Sequence, residues 1–145
     1  MSLIRPIHAE GLALLKSFEG CKLSAYQDQG GVWTIGYGHT GTVAQPGATC
    51  DQAFADALLE KDLETKAYPA YNNIWIGVSD NQLSAVYVLV FNIGIHAFIQ
   101  SNTLKLINQK ADPTTEWLGF SHVNGVVEPG LLRRRQAELD LYKKV

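Results

Sequence analysis

The sequence predicts an α+β fold in which a short antiparallel sheet near the N-terminus precedes a mainly helical body. Strand-forming residues concentrate around a glycine turn between Leu23 and Tyr37, which is typical of a hairpin. Elsewhere the apolar residues recur at the three- to four-residue spacing of helices. The segment after Ser79 is apolar nearly all round, as expected of a buried helix at the centre of a small α-rich domain.

The first predicted element is an amphipathic helix over residues 8–19, in which apolar residues recur at intervals of three and four. Gly20 is suited to end this helix, so Glu19 is expected in its last turn. The helix dipole disfavours negative charge at that end. A carboxyl group there tends to hold its proton, as a general acid must.

Two antiparallel strands are predicted next. Strand-forming residues run from Leu23 to Gln27 and from Val32 to Tyr37, and the glycine-containing turn between them is typical of a β-hairpin. Asp28 is expected at the entrance of this turn. The period-two alternation of strands places Thr34 on the opposite face from Trp33.

Helices are predicted over most of the remaining chain. Two segments, beginning at Thr49 and at Ser79, have the S/T-x-x-E/Q pattern of a capping box followed by a helical run. Val123 to Val126 is predicted to form a turn. The other predicted helices run from about Ser101 to Lys110, begin at Asp112-Pro113 with proline in the first helical position, and run from Pro129 through Lys144.

Length and composition exclude several classes of protein. The length of 145 residues is common for one domain, so a single domain over residues 1–145 is expected. A net charge of −2 excludes the strong positive field of a typical nucleic-acid binder. No segment reaches the roughly 18 apolar residues of a membrane span. Cys21 and Cys50 lack metal-ligand spacing, so reduced thiols are expected, with no metal and no other cofactor.

The segment from Glu19 to Thr34 contains the pattern that most directly indicates chemistry. A glutamate, an aspartate (Asp28) and a threonine follow the spacing E-x8-D-x5-T. Two carboxyl groups and a hydroxyl suggest hydrolysis of a glycosidic bond, because the leaving oxygen needs a proton while a second carboxylate serves the opposite face of the sugar. Taken singly, each residue also has a structural interpretation: helix end, turn former and strand residue.

Three longer segments resemble a known family. They are LLKSFEGCKLSAYQDQGGVWTIGYGHTG, QLSAVYVLVFNIGIHAF and VNGVVEPGLLRRRQAEL, and they are similar, in the same order, to segments of the phage-type lysozymes, the muramidase endolysins of glycoside hydrolase family 24. The resemblance implies a lysozyme-like fold with a small N-terminal lobe and a helical C-terminal lobe around a central buried helix. It also implies hydrolysis of the β-1,4 bond between N-acetylmuramic acid and N-acetylglucosamine in peptidoglycan, with inversion, to lyse a bacterial host.

The same resemblance implies a role for each residue of the pattern. Glu19 corresponds to the general acid, while Asp28 and Thr34 correspond to residues that hold the attacking water on the far side of the sugar. In the family an arginine of the last segment lies near the catalytic glutamate. Arg134 or Arg135 is the candidate here, with a solvated charged face as the alternative.

Other residues that could belong to a site receive structural interpretations. His39 is interpreted as a hydrogen-bonding residue near the site, because no cysteine or serine nucleophile is placed to need a base. The tryptophans could stack on sugar rings, but in a chain this small they are interpreted as core residues. They are Trp33, Trp75 and Trp117.

The resemblance also implies partners and a location. The expected partner is the glycan strand of peptidoglycan, with no nucleic acid, no stable membrane insertion and a monomeric state. The first residues lack the features of a signal peptide or an anchor. The chain is therefore expected in the host cytoplasm, from which a holin pore releases it to the cell wall.

Two other functions stay open. A lytic transglycosylase needs the acid but no water-positioning aspartate, and it yields an anhydro sugar. A catalytically inactive cell-wall-binding protein of the same fold needs neither carboxyl group.

Overall fold

A computed structural model describes residues 4–144 of the chain. Helices dominate the described part, and two short antiparallel pairs of strands accompany them, which confirms the predicted α+β class. None of the described helices is long and apolar enough to cross a membrane. The elements are α1 (Ala9–Glu19), β1 (Lys22–Gln27), β2 (Trp33–Gly36), α2 (Gln52–Lys66), a 3₁₀ helix (Tyr68–Asn73), α3 (Asp80–Ile93), α4 (Ile95–Ile99), α5 (Asn102–Asn108), α6 (Thr114–Leu118), β3 (His122–Val123), β4 (Val126–Val127) and α7 (Pro129–Tyr142).

The chain divides into two compact units. Unit 2 is the continuous segment from Leu15 to Thr65, and unit 1 comprises the described residues up to Leu14 together with those from Lys66 onward. The boundaries therefore fall inside α1 and at the end of α2. The expectation of a single domain over residues 1–145 stays a prediction.

Unit 2 contains the predicted hairpin. Strands β1 and β2 pair antiparallel, with Tyr26 opposite Thr34 and Gln27 opposite Trp33. The Asp28 N–H donates to the Val32 carbonyl at 2.9 Å and closes the turn between them. The hairpin and the position of Asp28 at its turn are thus confirmed. Ile35 of β2 belongs to a small apolar cluster of unit 2, together with Ala44 and Leu58.

The capping box expected at Thr49 is wrong. Helix α2 begins at Gln52, and the N–H of Phe54 donates to the Asp51 carboxylate at 2.8 Å, so Asp51 caps the helix. Thr49 instead pairs with Ser24 in an isolated β-bridge. The backbone at Thr49 is therefore still extended, and the helix begins only after the chain leaves this bridge.

Unit 1 is built around the predicted buried helix, which is α3. Ser79 caps it through the predicted capping box: its hydroxyl accepts from the Gln82 N–H, and the Gln82 side chain accepts from the Ser79 N–H. Residues 83–90 are all buried. Helix α7 packs against α3. The main core consists of Ala70, Ala85, Val86, Leu89, Val90, Phe98, Leu104, Ile107, Trp117, Leu139 and Leu141.

The structure corrects one further detail in unit 1 and adds short elements that were not predicted. Pro113 is the N-cap of α6 and not its first helical residue. The expected turn after Val123 is present as the connection between β3 and β4, but these two-residue strands are too short to produce a strand pattern in the sequence. Helix α4 was not predicted either, because its five residues are too few to show a helical pattern in the sequence.

Candidate active site

Glu19 is the last residue of α1, as predicted. The chain leaves the helix at Gly20, whose φ of +66° is in the left-handed region that glycine adopts without strain. The Glu19 side chain is half-buried. It lies against the turn after β2, because a β-carbon built on Gly38 would be 3.5 Å from Glu19 Oε1. With φ of +85°, Gly38 occupies a second position that favours glycine.

Asp28 is exposed and holds the hairpin turn through its carboxylate. Oδ1 accepts hydrogen bonds from the N–H of Gly30 at 2.8 Å and from the N–H of Val32 at 2.9 Å. This is the turn-forming role expected of an aspartate in such a position. The two bonds also fix the direction of the carboxylate. Both end on Oδ1, which leaves Oδ2 as the oxygen that can accept from a water.

Thr34 is buried on β2, with 3% of its surface exposed. Its hydroxyl donates to the Val32 carbonyl at 3.0 Å. The same carbonyl accepts from the Asp28 N–H at 2.9 Å. The backbone N–H of Asp28 and the hydroxyl of Thr34 therefore share one acceptor, the Val32 carbonyl.

The turn that follows β2 is held in two ways. Ile35 and His39 exchange two backbone hydrogen bonds of 2.9 Å, which closes the turn that contains Gly38. His39 Nδ1 contacts both carboxylate oxygens of Asp62 on α2, at 2.9 and 3.1 Å. The side chains of this pair are 14% and 11% exposed. The hydrogen-bonding role of His39 is confirmed. Its partner could not be read from the sequence, because Asp62 lies 23 residues away without a motif.

A polar network also joins α1 to α2 within unit 2. Lys16 Nζ lies 3.2 Å from Asp56 Oδ1 and 5.5 Å from the centre of the Tyr37 ring. The Gln52 side chain donates to both Asp56 and Tyr37. Hydrogen bonds from Gln52 and Lys16 hold the pKa of Asp56 below its usual range. Lys16, the member of this network on α1, lies one turn before Glu19.

The candidate arginines belong to unit 1 and are buried. The Glu138 carboxylate contacts Arg134 Nε at 3.2 Å and Arg135 Nε at 2.7 Å, and it accepts from the Trp117 indole at 3.0 Å. Arg133 is exposed. The solvated charged face is therefore wrong for Arg134 and Arg135, whereas the approach of either to Glu19 stays a prediction. The spacing of both to Glu138, four and three residues, was the available sequence signal.

The three tryptophans differ in their surroundings. Trp117 is fully buried, and Trp33 is half-buried. Trp75 is 79% exposed, so its interpretation as a core residue is wrong.

The two cysteines are free thiols. Burial, assisted by Cys21 and Asp51, raises the pKa of the Cys50 thiol. Within residues 4–144 no group of three or more histidine, cysteine, aspartate or glutamate side chains is arranged to hold a metal ion.

Comparison with known proteins identifies relatives over nearly the whole chain. The sequence model of the family described as Phage lysozyme matches residues 16–138. An endolysin of Acyrthosiphon pisum secondary endosymbiont phage 1 is 38% identical over 143 residues, which cover 94% of this chain and 97% of that protein.

Solved structures agree with the sequence matches. The muramidase domain of SpmX from Asticaccaulis excentricus has a TM-score of 0.88 and 35% identity, covering 97% of this chain and 99% of that domain. A point mutant of P22 lysozyme also has a TM-score of 0.88, with 32% identity and coverage of 97% and 99%.

Replacing Asp62 tests whether its pair with His39 supports the site. We expect Asp62→Ala to lower the free energy of unfolding by about 2–4 kcal/mol, because it leaves a largely buried imidazole without its partner. Asp56→Ala is the matched control on the same helix, since Asp56 is 43% exposed and should matter much less. Urea unfolding of both variants measures the difference. Equal losses would contradict a special role for the His39–Asp62 pair.

Proposed function

Because this chain belongs to the phage lysozyme family, we propose that Glu19, Asp28 and Thr34 are its catalytic residues. The family membership confirms the lysozyme-like fold, the resemblance to phage-type lysozymes and the glycoside hydrolase activity predicted from the sequence. The enzyme is thus an endolysin of the muramidase type. The roles of individual residues are the proposal.

Glu19 is proposed as the general acid that protonates the glycosidic oxygen. Its position supports this role, because the side chain lies at the C-terminal end of α1, half-buried beside Gly38. A general acid at this position donates its proton to the leaving oxygen as negative charge develops there.

Asp28 and Thr34 are proposed to hold the attacking water. The observation that carries this proposal is their common attachment to Val32, whose carbonyl accepts from the Asp28 N–H and from the Thr34 hydroxyl. Since the Thr34 proton is used in that bond, the hydroxyl oxygen can accept a hydrogen bond from water. The Asp28 carboxylate can accept another and take up a proton. A water held in this way attacks from the face opposite the acid, which inverts the anomeric carbon.

The alternative functions make different use of these residues. A lytic transglycosylase forms an anhydro ring within the sugar, so it does not need a water bound between an aspartate and a threonine. An inactive wall-binding protein has no need of a proton donor at all. Mass analysis of products separates them: hydrolysis adds one water, transglycosylation yields an anhydro sugar, and a binding protein leaves the glycan intact.

We propose that the enzyme acts as a monomer and crosses the cytoplasmic membrane through a holin pore. Its substrate lies outside that membrane, so release is a necessary step before lysis. Fractionation of bacteria that produce the chain without a holin tests this route. Protein found in the periplasm of such cells would overturn it.

We expect Glu19→Gln to lower turnover on purified peptidoglycan by at least about 100-fold, because the amide cannot donate a proton to the leaving oxygen. The thermal midpoint should stay unchanged or rise, as is common when an active-site carboxyl is removed. Glu64→Gln, an exposed glutamate on α2, is the matched control. Reducing ends released per unit time give the rate. Near wild-type turnover in Glu19→Gln would show that another group is the acid.

Asp28→Asn separates the turn-forming role from the catalytic one. Asparagine retains the side-chain oxygen that accepts from the N–H groups of Gly30 and Val32, so the turn and the thermal midpoint should be kept. It cannot take a proton from water, so turnover should fall by about 100-fold or more while peptidoglycan binding persists. Unaltered turnover would leave Asp28 with the structural role only.

A further inference from the structure

Trp75 is the most exposed large apolar side chain in the described part of the chain, at 79%. Tryptophan usually buries a large area, and this one contributes nothing comparable to the core of unit 1. It is also outside the proposed catalytic residues, all of which belong to unit 2. The position therefore needs an explanation other than packing or catalysis.

The backbone around Trp75 is fixed. The flanking residues Ile74 and Ile76 pack against the main core of unit 1, so the side chain between them points outward. The Asn108 amide holds both sides of the segment: Oδ1 accepts from the Trp75 N–H at 2.8 Å, and Nδ2 donates to the Asn73 carbonyl at 2.9 Å. The indole is thus presented by a constrained segment, which lowers the entropy lost when a ligand binds.

A depression of unit 1 begins at Ile76, the residue that follows Trp75 in the chain. Ile76 lines this depression of about 410 Å³, and a second depression of about 400 Å³ shares Gln82, Tyr142 and Lys143 with it. Each has the size of an ordinary ligand site. Because the two depressions share three side chains, they are adjacent, and together they are called the groove below. Two adjacent depressions can take successive units of a polymer.

The polar groups of the groove fit a charged carbohydrate. Gln82 and Tyr142 offer an amide and a phenol for sugar hydroxyl groups, while Lys110 and Lys143 offer ammonium groups for carboxylates. Asp112 is the acidic member of the lining. Its Oδ1 accepts from the Thr114 hydroxyl at 2.6 Å and from the Thr114 N–H at 3.0 Å, which keeps the pKa of Asp112 below its usual range.

We propose that Trp75 and this groove form a second peptidoglycan-binding site on unit 1. The indole stacks on the apolar face of a sugar ring, and Lys110 and Lys143 pair with carboxylates of the stem peptide. The substrate class rests on the proposed function. Attachment to the wall at a site additional to the catalytic one raises the local concentration of glycan at the enzyme.

Binding to insoluble peptidoglycan tests the site in the full chain carrying Glu19→Gln, so that the polymer stays intact. Adding Trp75→Ala should raise the apparent Kd for purified sacculi about threefold to tenfold in a sedimentation assay. Trp75→Phe should recover most of the binding, since it keeps an aromatic face. Val126→Ala, which changes another exposed apolar residue of unit 1, should bind like the parent.

A second pair of variants tests the lysines of the groove. Lys143→Gln should weaken binding, and its effect should shrink as salt is raised, because the pairing is electrostatic. Lys105→Gln, an exposed lysine on α5 that does not line the groove, should leave binding unchanged. Removing the stem peptides from the sacculi with an amidase should abolish the difference between Lys143→Gln and the parent.

The outcomes distinguish this inference from the proposed function. Equal binding by Trp75→Ala and the parent would overturn the second site, and so would equal weakening by Val126→Ala. Trp75-dependent capture on phosphatidylglycerol vesicles with unchanged binding to sacculi would overturn it in favour of a membrane surface. The proposed function is judged separately, by whether the chain with Glu19 intact releases reducing ends from peptidoglycan.

Discussion

The peptide groups of Val32 are the constraint on which the candidate site depends. The carbonyl accepts from the Asp28 N–H at 2.9 Å and from the Thr34 hydroxyl at 3.0 Å, and the N–H donates to the Asp28 carboxylate. The hydrogen bonds that close the hairpin turn therefore also set the direction of the two side chains. The structural role of Asp28 and its proposed catalytic role are compatible, because the same hydrogen bonds close the turn and orient the carboxylate. A water-binding pair needs such rigidity, since small displacements of reacting groups are costly in rate.

Glu19, the proposed proton donor, is positioned by a separate set of contacts. Glu19 ends α1 at a glycine and lies beside Gly38, whose turn is closed by Ile35 and His39. His39 is in turn anchored to Asp62 on α2. Strand β2 thus connects the two halves of the site: it contains Thr34, and it leads directly into the turn beside Glu19. A helix end, a hairpin and one buried pair therefore fix the proposed acid and the proposed water-holding residues within one unit.

Local signals explain what the sequence could predict. The end of α1 at Gly20, the hairpin around Asp28 and the capping box at Ser79 each depend on residues a few positions apart, and all were predicted correctly. The cap of α2 was not, because the β-bridge between Ser24 and Thr49 depends on a contact across 25 residues. The His39–Asp62 pair and the exposure of Trp75 likewise follow from tertiary contacts, the latter through Asn108, 33 residues away. The roles of Glu19, Asp28 and Thr34 came from resemblance, since their spacing alone also fits structural roles.

The anomeric configuration of the first product tests most directly whether Asp28 and Thr34 hold a water on the face of the sugar opposite Glu19. Proton NMR of a soluble muropeptide oligomer, recorded before mutarotation, distinguishes the two anomers of the new reducing end. Cleavage of the β-1,4 bond by such a water yields the α-anomer first. Initial appearance of the β-anomer would contradict this arrangement, because it requires either attack from the same side as the acid or a covalent intermediate.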